Sequence, residues 1–259
     1  MLSEPASSPP RWIDVAPERF PGWIASFGGR HGAVCLRAES LGAGAAGGGA
    51  AGGGAAGGGA AGGRPAAGEP GAAAMFTAAD GAVARCHPPF PPVPGLGAIA
   101  DPDEAARAIA AHAAADRTVG VLLVRLGGYA AGVFTGAPPR LACSKVGSRL
   151  VHGRSAAGGQ SQQRFARRRE KQAAEAIGAA AGTAAGVFGR YGRPLDALVL
   201  GGDRRAVSGL RDDPRLRGYF DVAVDRFLTV PDPRLSVLRE TPRMFRAIQI
   251  QLTEPGPAS

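Results

Sequence analysis

Gly158, Gly159 and Gln160 set a backbone without side chains beside one carboxamide, and Ser161, Gln162, Gln163 and Arg164 follow directly. Paired glycines reach positive φ without strain and bring the main chain against a surface such as RNA with no Cβ in between. A side chain on Gly159 would interfere with the tight bend that presents Gln160. A carboxamide is no general base at neutral pH, so any catalytic contribution of Gln160 is positional, made by its backbone N–H or its amide, and the nucleophile is water. Beyond it, Arg164, Arg167, Arg168 and Lys171 recur at i, i+3, i+4 and i+7, one face of a helix that can follow a phosphate backbone. Solvated helix faces usually mix their charges, whereas Glu170 is the one acid available here. The glycines and Ser161 can at the same time form the turn and cap of that helix.

Other chemistries fit less of the chain. Ser161 and His152 could pair as nucleophile and base, yet no Gly-x-Ser-x-Gly elbow surrounds Ser161 and no acid is placed to orient His152. A two-metal nuclease needs carboxylates converging from strand centres, and the strands expected over 119–126, 129–135 and 141–146 hold no Asp or Glu. Cys35, Cys86 and Cys143 are far apart with no Cys-x-x-Cys pair and read as reduced thiols. His31, His87 and His112 read as surface or packing residues. Neither a metal nor a cofactor is expected.

The 259-residue chain has a net charge of +9. Between Arg140 and Lys171, nine basic residues (Arg140, Lys145, Arg149, Arg154, Arg164, Arg167, Arg168, Arg169 and Lys171) face the single acid Glu170. Nearly all the excess charge thus sits in one segment, the pattern of an electrostatic footprint on nucleic acid. The 45% hydrophobic fraction is reached mainly through Ala, with 6% aromatics, so small-residue cores are expected. No basic-then-apolar leader and no apolar run of membrane-spanning length occurs, which predicts a cytoplasmic protein.

Such a loop needs a frame to position it. After a leader over 1–10, Phe20, Trp23, Ile24 and Phe27 form the stripe of a short helix over 17–29, followed by a strand at 33–37. From Gly42 to Gly63 only Gly and Ala occur, with no side chain to offset the entropy of ordering. The insert over 42–74 is therefore expected to be disordered, with its ends on neighbouring strands of one sheet. Strands at 74–77 and 82–86 flank an Asp80-Gly81 turn, and Asp101, Pro102 and Glu104 open an Ala-rich helix to about Ala115. Together these make a small amino-terminal α+β unit over 11–115. Three strands at 119–126, 129–135 and 141–146 then form an antiparallel meander. The basic loop leads into a long helix over 161–190 with Ala173, Ile177, Ala181, Ala184 and Phe188 on one face. A strand at 195–200, buried on both faces, starts a strand-helix alternation that ends in a strand carrying Ile248, Ile250 and Leu252. The fold class is α+β or mixed α/β: the second domain, 116–253, has a mixed sheet flanked by helices, a protruding loop and one long helix, with a tail at 254–259.

The stretch from Gly153 and Arg154 through Gly158, Gly159, Gln160 and Ser161, then Arg164, Phe165, Ala166, Arg167 and Arg169, resembles the catalytic loop and following helix of eukaryotic and archaeal class I release factors. Leu198-Val199-Leu200-Gly201-Gly202 is similar to the strand and turn after their long helix. The resemblance runs over roughly Thr118 to Leu252 and is strongest to the Vms-like release factors, especially their compact actinobacterial members. It implies a peptidyl-tRNA hydrolase linked to ribosome-associated quality control. Gly158, Gly159 and Gln160 would enter the large-subunit peptidyl transferase centre, where water attacks the peptidyl-tRNA ester while the ribosome and the terminal ribose complete the site. Arg149, Arg154, Ser161, Gln162, Gln163, Arg164, Arg167, Arg168, Arg169 and Lys171 would contact RNA. With no codon-reading domain in the sequence, release would be codon-independent, on stalled ribosomes or large subunits, by a monomer that uses no metal and no membrane. The alternative is a non-enzymatic factor that occupies the ribosomal tRNA site through its basic loop and helix, a task that does not require Gln160 after two glycines.

Overall fold

The computed structural model describes residues 9–37, 74–125, 127–148 and 161–255, with 161–170 described by their backbone. Most of the expected leader, the Gly/Ala insert and most of the tail lie outside these residues. The chain forms two units.

The first is built on a five-stranded sheet in the order β1-β10-β4-β3-β2, from β1 (Arg11–Val15), β2 (Val34–Arg37), β3 (Ala74–Ala78), β4 (Val83–His87) and β10 (Ile248–Thr253). α1 (Phe20–His31) buries Phe20, Ile24 and Phe27, the stripe read from the sequence, and Trp23 stacks on Phe27 at 5.6 Å. β2 and β3 pair antiparallel with Arg37 opposite Met75, so the strands that precede and follow the Gly/Ala stretch are neighbours in one sheet. β1 had no counterpart in the sequence reading, because five residues between prolines carry neither a turn signal nor a long alternation.

At the β3-β4 turn Gly81 takes φ +90, the Ala82 N–H donates to Asp80 Oδ1 at 2.9 Å, and His31 Nδ1 lies 2.8 Å from Asp80 Oδ2. The Ala82 N–H and, after it, His31 hold the Asp80 carboxyl below its ordinary value. A folded-state value below the unfolded one means the unfolded chain takes up the proton first as pH falls. The stability from Asp80 should therefore be complete above about pH 5 and be lost as pH drops below about 4 toward the lowered value. Urea midpoints should show Asp80→Asn less stable than the parent at neutral pH, with the gap closing in acid; a gap of constant size would contradict this.

α2 (Pro102–Ala114) begins as expected, with the Glu104 N–H donating to Asp101 Oδ1 at 2.7 Å and Pro102 at the first helical position, where its missing N–H costs nothing.

The second unit is built on β5 (Val119–Arg125), β6 (Gly128–Thr135), β7 (Arg140–Ser148), β8 (Ala197–Gly202) and β9 (Ala223–Leu228), ordered β7-β6-β5-β8-β9. β7, β6 and β5 are antiparallel neighbours and β5, β8 and β9 are parallel, so the sheet is mixed as the meander followed by alternation implied. Leu122, Val124, Ala131 and Val133 on one face pack on α3 (Ser161–Tyr191) through Ala180, Ala181, Ala184 and Phe188, a core of small side chains that lets the helix lie close to the sheet. On the opposite face Phe134 meets Phe245 of α6 (Leu235–Phe245) edge-on at 5.8 Å. Inside α6, Pro242 cannot donate to the Leu238 carbonyl, and the Thr241 hydroxyl donates to it instead at 2.7 Å.

The last strand departs from the sequence reading, which ended the second domain at 253. Ile248, Ile250 and Leu252 are buried as their alternation requires, but β10 pairs with β4 in the first sheet from Gln249 onward, Ile250 opposite Cys86 and Leu252 opposite Ala84. A period of two shows that one face is covered; it carries no information about which sheet supplies the neighbour.

Candidate functional site

β7 ends at Ser148 and α3 opens at Ser161, so the candidate loop is the link between an edge strand and the longest helix. Arg149, Arg154, Gly158, Gly159 and Gln160, together with His152 of the rival serine reading, lie outside the described residues. Ser161, Gln162, Gln163, Arg164, Arg167, Arg168 and Arg169 belong to the first turns of α3. Ser161 is already within the helix, one place inside the cap position expected for it. Lys171 is exposed.

α3 has 31 residues, about 46 Å of axis. Among residues 171–179 none is fully buried, and the first buried side chain is that of Ala180, roughly 28 Å along the axis from Ser161. The reason lies in composition: Gln, Arg, Lys and Glu dominate the leading half, and Ala, Gly, Val and Phe the trailing half. Among the described side chains, those from Ala180 onward carry the fully buried contacts of the helix, with Ile177 partly buried against the same core. Ile177 and Ala173 of the expected apolar face are half-buried, while Ala181, Ala184 and Phe188 are buried.

The strand leading to the loop is held at its last paired residues. Tyr129 stands opposite Gly147, and a Cβ on Gly147 would come 2.5 Å from the Tyr129 ring, so the ring lies directly on bare backbone. Arg140 and Lys145 of β7 are exposed like Lys171, and none of the three has an ion-pair partner among the described residues. That leaves their charge available to a polyanion.

Register puts Ser148, Gly128, Arg125 and Gly202 at one end of the sheet. There β8 turns into α4 (Arg204–Ser208) through Gly202 at φ +101, and the Asp203 carboxylate accepts from the N–H groups of Arg205 and Ala206. The signal for this turn is Gly201-Gly202 followed by Asp203; the two glycines were named from the sequence, but Asp203 and its capping role were not. The carboxylates of Asp116 and Asp196 sit at the other end, accepting from Gly136 N–H at 2.8 Å and Thr118 N–H at 2.7 Å, so both are spent on turns. Among the described residues no cluster of three or more His, Cys, Asp or Glu could hold a metal ion, and no helix is long and apolar enough to cross a membrane. All three cysteines are free; burial pushes the Cys143 and Cys86 thiols up, which keeps them protonated and inert at neutral pH.

No curated protein matches the chain. A family model described as the Actinobacteria/chloroflexi VLRF1 release factor matches residues 117–251, from the residues just before β5 into β10. That match takes in all of the mixed sheet, the candidate loop and α3. Covering more than half of the chain, it shows that this protein belongs to the Actinobacteria/chloroflexi VLRF1 release factor family.

Proposed function

We propose that the protein is a ribosome-associated peptidyl-tRNA hydrolase that frees nascent chains without reading a codon. The observation that carries this reading is the Gly158-Gly159-Gln160 string at the head of a 31-residue helix whose leading turns are arginine-rich, in a chain of a release factor family. The glycines let the loop enter a crowded RNA site, and Gln160 turns its backbone N–H toward the oxyanion while its carboxamide orders the attacking water. The acyl carbon gains the water oxygen, its bond to the ribose oxygen breaks, and that oxygen leaves with a proton. Arg149, Arg154, Ser161, Gln162, Gln163, Arg164, Arg167, Arg168, Arg169 and Lys171 bind the surrounding RNA and steer the loop.

The test is a puromycin-independent release assay on stalled complexes carrying a labelled nascent chain. Full-length deacylated tRNA is the expected product, at equal rates with sense and stop codons in the decoding site. A shortened tRNA would indicate endonuclease action, and tight binding without release would favour the non-enzymatic occupant. Reversing charge at Arg164, Arg167 and Arg168 together should weaken binding and flatten the log-log salt slope by about two to three, since each phosphate contact contributes about 0.7 to 0.9. An unchanged slope would remove these residues from the RNA interface.

A further inference from the structure

Around Ile177, Gly178 and Gly182, α3 meets one short segment that follows α4. Gly209 has no side chain to collide with Ile177: a Cβ there would lie 2.9 Å from Ile177 Cδ1, so the tip of Ile177 seats on bare backbone. One turn further along α3, Gly182 leaves a second bare spot, where a Cβ would stand 3.1 Å from Arg215 Nη1. Across that gap Arg215 Nη2 donates to the carbonyl of Gly178 at 3.3 Å. Asp213 sets the guanidinium, accepting from Arg215 Nε at 2.9 Å, from Nη2 at 2.7 Å and from the Arg215 backbone N–H at 3.0 Å. Buried Leu210 and Leu216 tether the segment on either side.

This pair contributes little to holding the fold together, because the Arg215 side chain is half exposed and exposed ion pairs are weak. What it constrains is direction. Ile177 and Gly178 come just before Ala180, the first buried residue among 171–191 of the helix. Glycines at 178 and 182 are positions where a helix bends readily. A tilt of about 10° at Gly178 would carry Ser161 sideways by roughly 4 Å, given 1.5 Å of rise per residue. Displacements of about 1 Å are enough to cost a reaction on the order of a hundredfold.

From this geometry we infer that Arg215, held by Asp213, is a positioning residue that sets the direction of α3 and hence where the loop is delivered. The inference rests on the hydrolase reading for its effect on release but not for its effect on the helix, so two readouts are needed. Spin labels at Ala166→Cys in α3 and Ser236→Cys in α6, in a Cys35→Ala background, report helix direction. Arg215→Ala and Asp213→Ala should each broaden the label distance distribution, leave the melting temperature within about 2 °C, and slow single-turnover release at saturating protein on the order of tenfold. The half-saturating concentration should stay near the parental value. Arg215→Lys keeps the charge but not the fork and should behave like Arg215→Ala. An unchanged distance distribution would overturn the inference whatever release does, as would broadening with parental release, or full recovery by lysine. If the parental protein itself releases nothing, the hydrolase reading fails, and the distance measurement still decides whether Arg215 aims the helix.

Discussion

Gln160→Ala and Gly159→Ala should each slow peptide release on the order of a hundredfold, the scale of losing one preorganised transition-state contact, while binding to the stalled complex stays parental. The two substitutions remove different things. Alanine at 160 keeps a backbone N–H but loses the carboxamide that orders water; alanine at 159 keeps the carboxamide but adds a Cβ and narrows the φ range of the bend. Binding should survive both, because the attraction to RNA comes from the nine basic residues between Arg140 and Lys171 rather than from three nearly featureless ones. A fall in the release rate at saturation with an unchanged half-saturating concentration is the signature of an interaction made in the transition state. Parental release from the Gln160 variant would exclude the loop from the chemistry and leave the basic helix as a binding element.

Gly202→Ala should unfold the second unit or cost about 4 kcal/mol or more, at the far end of single-substitution effects. A Cβ at Gly202 would lie 2.2 Å from the Val124 carbonyl oxygen and 2.8 Å from its carbon, and φ is +101. Both obstacles are backbone, so no rotamer change relieves them. Moving Gly202 away would break the bond from Asp203 N–H to Val124 O at 2.7 Å and pull the Asp203 cap off α4. Gly128→Ala is the control at the same end of the sheet: its Cβ would meet only Pro233, at 3.5 Å or more, and should change stability by less than about 1 kcal/mol. Denaturant unfolding followed by circular dichroism compares the two, and a Gly202→Ala protein with a parental midpoint would contradict the geometry. The glycine pair that ends β8 thus has an architectural reason, separate from the role proposed for the loop glycines.

The features legible in the chain share one property, that their cause lies within a few residues. α3 was expected over 161–190 and spans Ser161–Tyr191, because an apolar stripe at helical spacing with no proline is a local instruction. The Asp80-Gly81 turn, the Asp101 cap and the meander of β5, β6 and β7 follow for the same reason. The candidate loop is a string of adjacent residues and could be named from the sequence, but Gly158, Gly159 and Gln160 lie outside the described residues, so their role stays a proposal.

Contacts between distant segments were decided by the tertiary structure alone. β10 obeys its alternation yet joins the first sheet, and Arg215 meets Gly178 across 37 positions of sequence. Tyr129 covers Gly147, and Val124 forces glycine at 202, for reasons absent from their own neighbourhoods. A residue's type and periodicity state how much of it must be covered, whereas the covering neighbour depends on the path of the whole chain. The sequence by itself therefore determined which residues stand at the head of the long helix, and the three-dimensional packing decided what grips that helix and so where it points.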